Sequence, residues 1–164
     1  MAEVLDRSKA ATLYERDFAA WARQQAELLR DARFDQLDLE HLIEEIETLG
    51  RKEKHEAESR AELILVHLLK LAFSPASEPR RGWIRTVLIQ RQALARILTA
   101  TLRAHLSEQF PQIFARARRM AAIELETDAI EPDVLPAESP FTADEVLDTE
   151  WLPQNTYDVD RGSS

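Results

Sequence analysis

The sequence predicts an all-α protein: a bundle of about four main helices around one long helix, with a C-terminal arm packed on it. Apolar or small residues recur at positions 39, 42, 43, 46, 50, 57, 61, 64, 68 and 71, which lie on one stripe of a continuous helix. Pro75 and Pro79 end that pattern, and only three glycines are present, too few to favour hairpin turns. These features together favour long helices joined by short links.

The first helix is predicted to begin at Thr12, because Thr12 and Glu15 have capping-box spacing, and to end near Asp31. The long helix is predicted from Asp38 to about Phe73. Its last third, LILVHLLKLAF, is apolar around most of the circumference. Either several elements wrap this end or part of it forms a self-association surface, and we favour wrapping.

A third helix is predicted from about Arg81 to His105 or beyond, followed by a shorter fourth helix that begins near Pro111 and continues through Leu125. Together with the first two helices they form a bundle over about residues 12–127. The links between them are short.

An acidic, proline-punctuated arm follows the bundle at about residues 128–154. Thr142 and Glu145 have capping-box spacing, so a short helix is predicted there and the arm is expected to dock. The expected anchors are Leu135, Phe141, Leu147, Trp151 and Leu152. Residues 1–10 and 155–164 are expected to fray.

Composition narrows the possible classes of protein. A chain of 164 residues with 45% hydrophobic residues suits a single domain with one core. No cysteine is present, which excludes disulfides and thiolate chemistry and fits a reducing cytoplasm. The N-terminus lacks the apolar run of a signal peptide, and LILVHLLKLAF is about half the length that spans a bilayer. We therefore expect a cytoplasmic protein without a membrane partner.

Four segments of the chain resemble one bacterial family. They read LYERDFAAWARQQAELLR, FDQLDLEHLIEEIETLGRKEKHEAESR, LVHLLKL and SPFTADEVLDTEWLP, and LDLEHLIEEIETLG within them is the most specific. This pattern, from about Leu13 to Pro153, is similar to that of domain-of-unknown-function family twenty-nine. That family is known from cyanobacteria and proteobacteria as an uncharacterised, all-helical domain. The resemblance implies a helical fold and carries no activity or site residue.

An arginine-rich segment is the clearest charge anomaly, because nine arginines between Pro79 and Arg119 meet a single acid, Glu108. On a helical wheel four of them share an outer stripe that could follow a phosphate backbone. Nucleic-acid binding is therefore one hypothesis, but the net charge of −9 and the many acids favour solvated or internally paired arginines. The four candidate contacts are Arg81, Arg85, Arg96 and Arg103.

A polar layer is predicted between the long helix and the third helix. Arg91 falls among the apolar residues of its helix, so it needs an acceptor, and we expect Arg91 and Arg60 to contact Glu53 or Glu56. His67 lies on the same side of the long helix. Structural pairing is the favoured interpretation, and the alternative makes His67 a general acid or base tuned by Glu53 and Arg91.

No other pattern indicates catalysis. Di-iron bundles use inward glutamates with Glu-x-x-His pairs, and Asp38-x-x-His41 is the only approximate match, so no metal or cofactor is expected. Whether the chain is an enzyme stays open, although the lack of a catalytic motif favours a protein without enzymatic activity. The leading hypothesis is a protein-interaction or structural module, with a protein partner or self-association. The alternatives are a nucleic-acid binder using the arginine stripe and an enzyme or ligand binder centred on the polar layer.

Overall fold

The computed structural model describes residues 13–126 and 134–159. Within these ranges there is no strand, residues 13–16 are helical, and Phe34–Gln36 forms a 3₁₀ turn. The α-helices are α1 (Phe18–Arg30), α2 (Leu39–Phe73), α3 (Arg80–Ile97), α4 (Ala100–Glu126) and α5 (Ala143–Leu147). The predicted all-α class, the long helix and the arm with its short helix are confirmed.

The chain divides into two compact units, Met1–Lys52 and Glu53–Ser164. The boundary falls inside α2, so each unit contains one part of the same continuous helix.

In the N-terminal unit, α1 begins after Asp17, whose carboxylate accepts a hydrogen bond from the Ala20 backbone N–H at 3.0 Å. The predicted cap at Thr12 lies outside the described residues. Trp21 and Leu28 are buried, whereas Phe18 is 51% exposed. The helix ends at a turn through Ala32, which has a positive φ of 56°.

In the C-terminal unit, the last third of α2 is the centre of the core. Leu63 is partly exposed, and the other large aliphatic side chains of LILVHLLKLAF are buried among residues of α3, α4 and the arm. The prediction that several elements wrap this end of the helix is therefore confirmed. The buried residues are Ile64, Leu65, Val66, Leu68, Leu69 and Leu71.

Two predicted helix boundaries are wrong. The third helix does not continue to His105, because Leu98 is extended and the Thr99 hydroxyl accepts the Leu102 N–H at 3.2 Å, which starts a new helix. Pro111 lies inside α4 and does not begin a helix. Its missing N–H frees the carbonyl of Ser107, and Ser107 is exposed, so water can replace that bond.

The arm is held by its own cap and by apolar anchors. The capping box is present, with the Glu145 N–H donating to Thr142 Oγ1 at 3.2 Å and the Thr142 N–H to Glu145 Oε2 at 2.8 Å. Phe141 and Leu135 are buried, but the expected anchor Leu152 is 38% exposed.

The expectation that the chain frays after Gln154 is wrong for residues 155–159. Asn155 is buried, and its Nδ2 donates to the carbonyls of Leu71 at 2.7 Å and Ser74 at 2.8 Å. These contacts satisfy carbonyls at the C-terminal end of α2, which have no partner within the helix. Residues 160–164 lie outside the described part.

Arg91 on α3 attaches the arm through the arm's backbone carbonyls, as Arg118 on α4 does through those of Leu135 and Pro136. The Arg91 side chain is buried, and its guanidinium donates to the carbonyl oxygens of Glu145 at 2.9 Å, Val146 at 2.9 Å and Trp151 at 2.7 Å. Burial lowers the pKa of Arg91, and the carboxylate of Asp148 opposes that shift. Three carbonyls thus share one buried cation.

We expect Arg91→Met to lower the free energy of unfolding by about 3–5 kcal/mol, since it leaves three buried or partly buried carbonyls without these donors. Urea denaturation followed by tryptophan fluorescence measures this change. Arg96→Met, at an exposed position of the same helix, is the matched control and should change stability by no more than about 0.5 kcal/mol. Equal effects of the two substitutions would contradict the role of Arg91.

Candidate functional site

The residues of the predicted polar layer do not form one cluster. Arg60 donates to Glu56 Oε1 from Nε at 3.1 Å and from Nη2 at 2.8 Å, and Nη1 donates to Gln90 Oε1 on α3 at 2.9 Å. Glu53 is exposed. Arg60 therefore contacts Glu56 as expected, while Glu53, His67 and Arg91 do not join this pair.

The expected contact of Arg91 with Glu53 or Glu56 is wrong. Its acceptors are the three carbonyls of the arm, more than 50 residues away in sequence. A helical wheel shows which way Arg91 points, but it cannot show that backbone oxygens of a distant segment end there.

His67 lies in a different environment from the one predicted. Its Nδ1 is buried without a hydrogen-bond partner among the described residues, and the groups that act on it are Lys70 and Glu124. Burial and the positive charge of Lys70 lower the pKa of His67, against a smaller opposite effect of Glu124. Lys70 Nζ contacts Glu124 Oε2 at 2.5 Å and lies 4.6 Å from the Trp83 ring centroid. The imidazole is therefore neutral at neutral pH.

A second ionic cluster joins α2 to α4 and was not predicted. The Glu58 carboxylate contacts His105 Nε2 at 2.8 Å and accepts from Arg116 Nη2 at 2.9 Å, and Arg116 Nε also donates to Glu62 at 2.7 Å. Burial raises the pKa of Glu58, but the hydrogen bonds from His105 and Arg116 outweigh it and the net shift is downward. All four side chains have partners, so the cluster acts as a clamp between two helices.

The candidate nucleic-acid contacts are all exposed, but they do not share one helix. Arg81, Arg85 and Arg96 lie on α3, and Arg103 lies on α4 beyond the break at Leu98. Arg103 Nη1 is 3.6 Å from Asp144 Oδ1 of the arm. The stripe is therefore shorter than the wheel indicated, and nucleic-acid binding stays a prediction.

The N-terminal unit contains an unexpected cluster around Asp38, the residue before α2. Its Oδ2 accepts from Trp21 Nε1 at 3.1 Å and contacts His41 Nδ1 at 2.7 Å, and its backbone N–H donates to Gln25 Oε1 at 2.9 Å. The helix-start spacing of Asp38 and His41 is the sequence signal that could have revealed it.

Tyr14 closes the same cluster. Its ring stacks on the His41 imidazole with centroids 4.0 Å apart, and its hydroxyl donates to Glu45 Oε1 at 2.6 Å. This hydrogen bond raises the pKa of Tyr14 to about 12. An Asp–His pair can activate a nucleophile in an enzyme, but the side chains bonded to this pair include no hydroxyl nucleophile. The cluster is therefore suited to fixing α1 on the start of α2.

The most exposed apolar surface lies on the first part of α2. Its N-terminal stripe consists of Leu39, Ile43, Ile46 and Leu49, which are 55%, 57%, 66% and 62% exposed. At about 100° per residue this face continues into the buried face that begins at Ala57. The single inward stripe predicted for the long helix is thus buried only in its second part.

Most of the sequence matches one known family. A family model described as Domain of unknown function DUF29 covers residues 13–152. The chain belongs to the DUF29 family. No curated protein and no solved structure matches it.

The DUF29 chain offers few other candidate sites in its described part. No group of three or more metal-ligating side chains is positioned to hold an ion, and no helix has the length and apolar character needed to cross a membrane. An open cleft of about 510 Å³ lies between α4 and the arm, lined in part by Phe110, Phe114 and Phe141. Its polar lining residues are Glu138, Ser139 and Thr142, and the hydroxyls of Ser139 and Thr142 are already bonded within the arm.

A pH measurement tests the environment of His67. Because the folded-state pKa is lowered, the unfolded chain binds a proton first as the pH falls through about 6.5, and folding is then penalised. We expect His67→Gln to remove this penalty, so that its stability relative to the wild type rises as the pH is lowered from neutral through that value.

Urea midpoints at a series of pH values measure this difference. His55→Gln, at an exposed position of the same helix, is the control for the loss of a histidine elsewhere on α2. A relative stability of His67→Gln that falls on acidification would show that His67 is protonated and paired in the folded chain.

Proposed function

We propose that this DUF29 chain is a protein-interaction module of the bacterial cytoplasm, and that its binding face is the N-terminal stripe of α2. The observation that carries the proposal is the exposure of that stripe. Four large aliphatic side chains, each more than half exposed, follow one another on one face of a helix. A contiguous apolar surface of this kind on a water-exposed helix usually meets a protein partner.

The shape of the stripe favours a helical partner. From Leu39 to Leu49 it extends about 15 Å along the axis, and its side chains recur at the spacing with which amphipathic helices pair. Acidic and basic side chains flank it, including Glu40, Glu44 and Lys54. A partner therefore meets an apolar centre and a charged rim, which is the usual anatomy of a protein interface.

The polar clusters support a non-catalytic role. Glu58 pairs with both Arg116 and His105, and the guanidinium of Arg91 is bonded to carbonyls of the arm. Structural ion pairs perturb pKa values as catalytic groups do, so the shifts at Glu58 and His67 do not require an active site. The absence of cysteine fits a reducing compartment such as the cytoplasm.

The nucleic-acid hypothesis is the second candidate. It is supported by the exposure of Arg81, Arg85 and Arg96 on one helix. The net charge of −9 opposes it. A gel shift at low salt separates the two proposals, since binding through these arginines must weaken steeply as salt is added. The enzyme hypothesis has less support, because Glu53, His67 and Arg91 do not join the bonded pair of Arg60 and Glu56.

The stripe can be tested without loss of the fold. We expect the double substitution Ile43→Ser/Ile46→Ser to change the free energy of unfolding by less than about 1 kcal/mol, since both side chains are already largely hydrated. Ile64→Ser, at a fully buried position of the same helix, should cost about 3–5 kcal/mol. Denaturation at low protein concentration measures both.

Photocrosslinking in the source cells then tests binding. With p-benzoylphenylalanine at Ile46 we expect a discrete protein adduct that disappears when Leu39 and Ile43 are changed to Ser. The same probe at His55, an exposed position on another face of α2, is the control and should give no such adduct. No adduct at Ile46, or an adduct that survives the stripe substitutions, would contradict the proposed function.

A further inference from the structure

The occupant of the N-terminal stripe can be named from the residues around it. Resting on the proposed function above, we propose that two copies of this chain pair through the first part of α2 in an antiparallel, two-fold symmetric arrangement. Two observations on the described residues support this pairing: the order of the charges beside the stripe and the place of Gly50.

The charges on one flank of the stripe change sign along the helix. Glu40, Glu44 and Glu47 come first, and Arg51 and Lys54 follow, all of them exposed. On the helical wheel these five side chains share one side of the stripe. The flank is therefore acidic at the start of α2 and basic in the turns that follow.

This order of charges selects an orientation. In an antiparallel pair, the same flank of both helices meets with its direction reversed, so Glu40 of one copy lies near Lys54 of the other and Glu44 near Arg51. In a parallel pair, this flank would instead meet the opposite flank of the second helix. That flank carries both Glu45 and Lys52, so Glu40 would meet an acid, Glu45, which is already bonded to Tyr14 of its own chain. The antiparallel pair brings opposite charges together at both ends of the overlap and avoids this contact between two acids.

The contacts within each chain leave these charges available. Arg51 lies 3.5 Å from Glu47 of its own chain, but both side chains are more than 60% exposed. An exposed ion pair of this kind contributes little to stability, so it can be exchanged for one between copies.

Gly50 is explained by close approach of a second helix. It lies on the stripe in the interior of α2, where glycine is the second-worst residue for helix stability after proline. A Cβ built on Gly50 would meet no atom within 4 Å, so nothing among the described residues requires glycine there. In the antiparallel register set by the charges, Ile46 of one copy packs over Gly50 of the other, and the missing side chain makes room for it.

Sedimentation of the purified full-length chain is the first test. We expect a reversible monomer–dimer equilibrium with a dissociation constant of about 1–100 μM, since the interface is a single helix pair of modest area. Ile43→Ser/Ile46→Ser should be monomeric throughout this range. A wild-type chain that is monomeric at the highest concentration, or a dimer that survives the double substitution, overturns the proposal.

Two sets of variants test the details of the interface. Gly50→Ala should raise the stability of the monomer and weaken the dimer about tenfold or more, whereas an unpaired helix would show only the gain in stability. Glu40→Lys/Glu44→Lys should weaken the dimer, and adding Arg51→Glu/Lys54→Glu to the same chain should restore it. Failure of the complete charge exchange to restore pairing contradicts the charge argument.

Disulfide trapping tests the orientation of the two helices. The chain has no cysteine of its own, so only the introduced cysteines can form a disulfide. In the antiparallel register residues 43 and 53 of different copies face each other, whereas residue 43 lies about 15 Å from its own counterpart. Mixing Ile43→Cys with Glu53→Cys should therefore give mainly the mixed disulfide. Homodisulfides alone would show a parallel pair and overturn the arrangement.

The outcomes distinguish failure of the pairing from failure of the interaction role. A monomeric wild type combined with a stripe-dependent adduct of a different protein at Ile46 rejects the second copy as occupant and leaves the interaction role in place. An adduct whose mass is twice that of the chain supports both. No adduct together with a monomeric chain rejects both.

Discussion

The buried guanidinium of Arg91 is the contact on which the C-terminal unit depends. It gathers carbonyls of Glu145, Val146 and Trp151, so the arm is attached by a buried cation as well as by apolar anchors. A buried charge is tolerated only when its hydrogen-bonding capacity is used, and here the backbone supplies the acceptors. The arm in turn helps to cover the apolar end of α2, because Leu135, Phe141 and Val146 belong to the same core.

The long helix therefore has one apolar face that is exposed in its first part and buried in its second. From Ala57 onward the face is core, enclosed by α3, α4 and the arm. From Leu39 to Leu49 the same face is exposed. The polar contacts stabilise the buried part. Glu58 and Arg116 join α4 to α2, and Asn155 donates to the carbonyls at the C-terminal end of α2. The interaction role proposed for the chain belongs to the exposed part.

Much of the fold could be predicted because its signals are local, whereas the candidate site depends on distant contacts. The capping box of Thr142 and Glu145 lies within a few residues, and it is present. Predicted helix boundaries were wrong where local signals competed. The apolar spacing continues across Thr99, but Thr99 caps a new helix. Pro111 was expected to begin a helix, but its exposed surroundings let α4 continue through it. A wheel also cannot tell a buried apolar face from an exposed one, so Ile46 and Ile64 look alike in the sequence. Only the number of elements available to cover α2 decides between them.

The exposure of the N-terminal stripe is tested most directly with a single cysteine in place of Ile46. The quantity measured is its rate of reaction with a thiol reagent as the protein concentration is raised. We expect fast labelling in dilute solution, where the stripe is exposed, and progressive protection at higher concentration, with His55→Cys unaffected. Slow labelling at every concentration would show that the chain covers the stripe itself, which would contradict an exposed binding face.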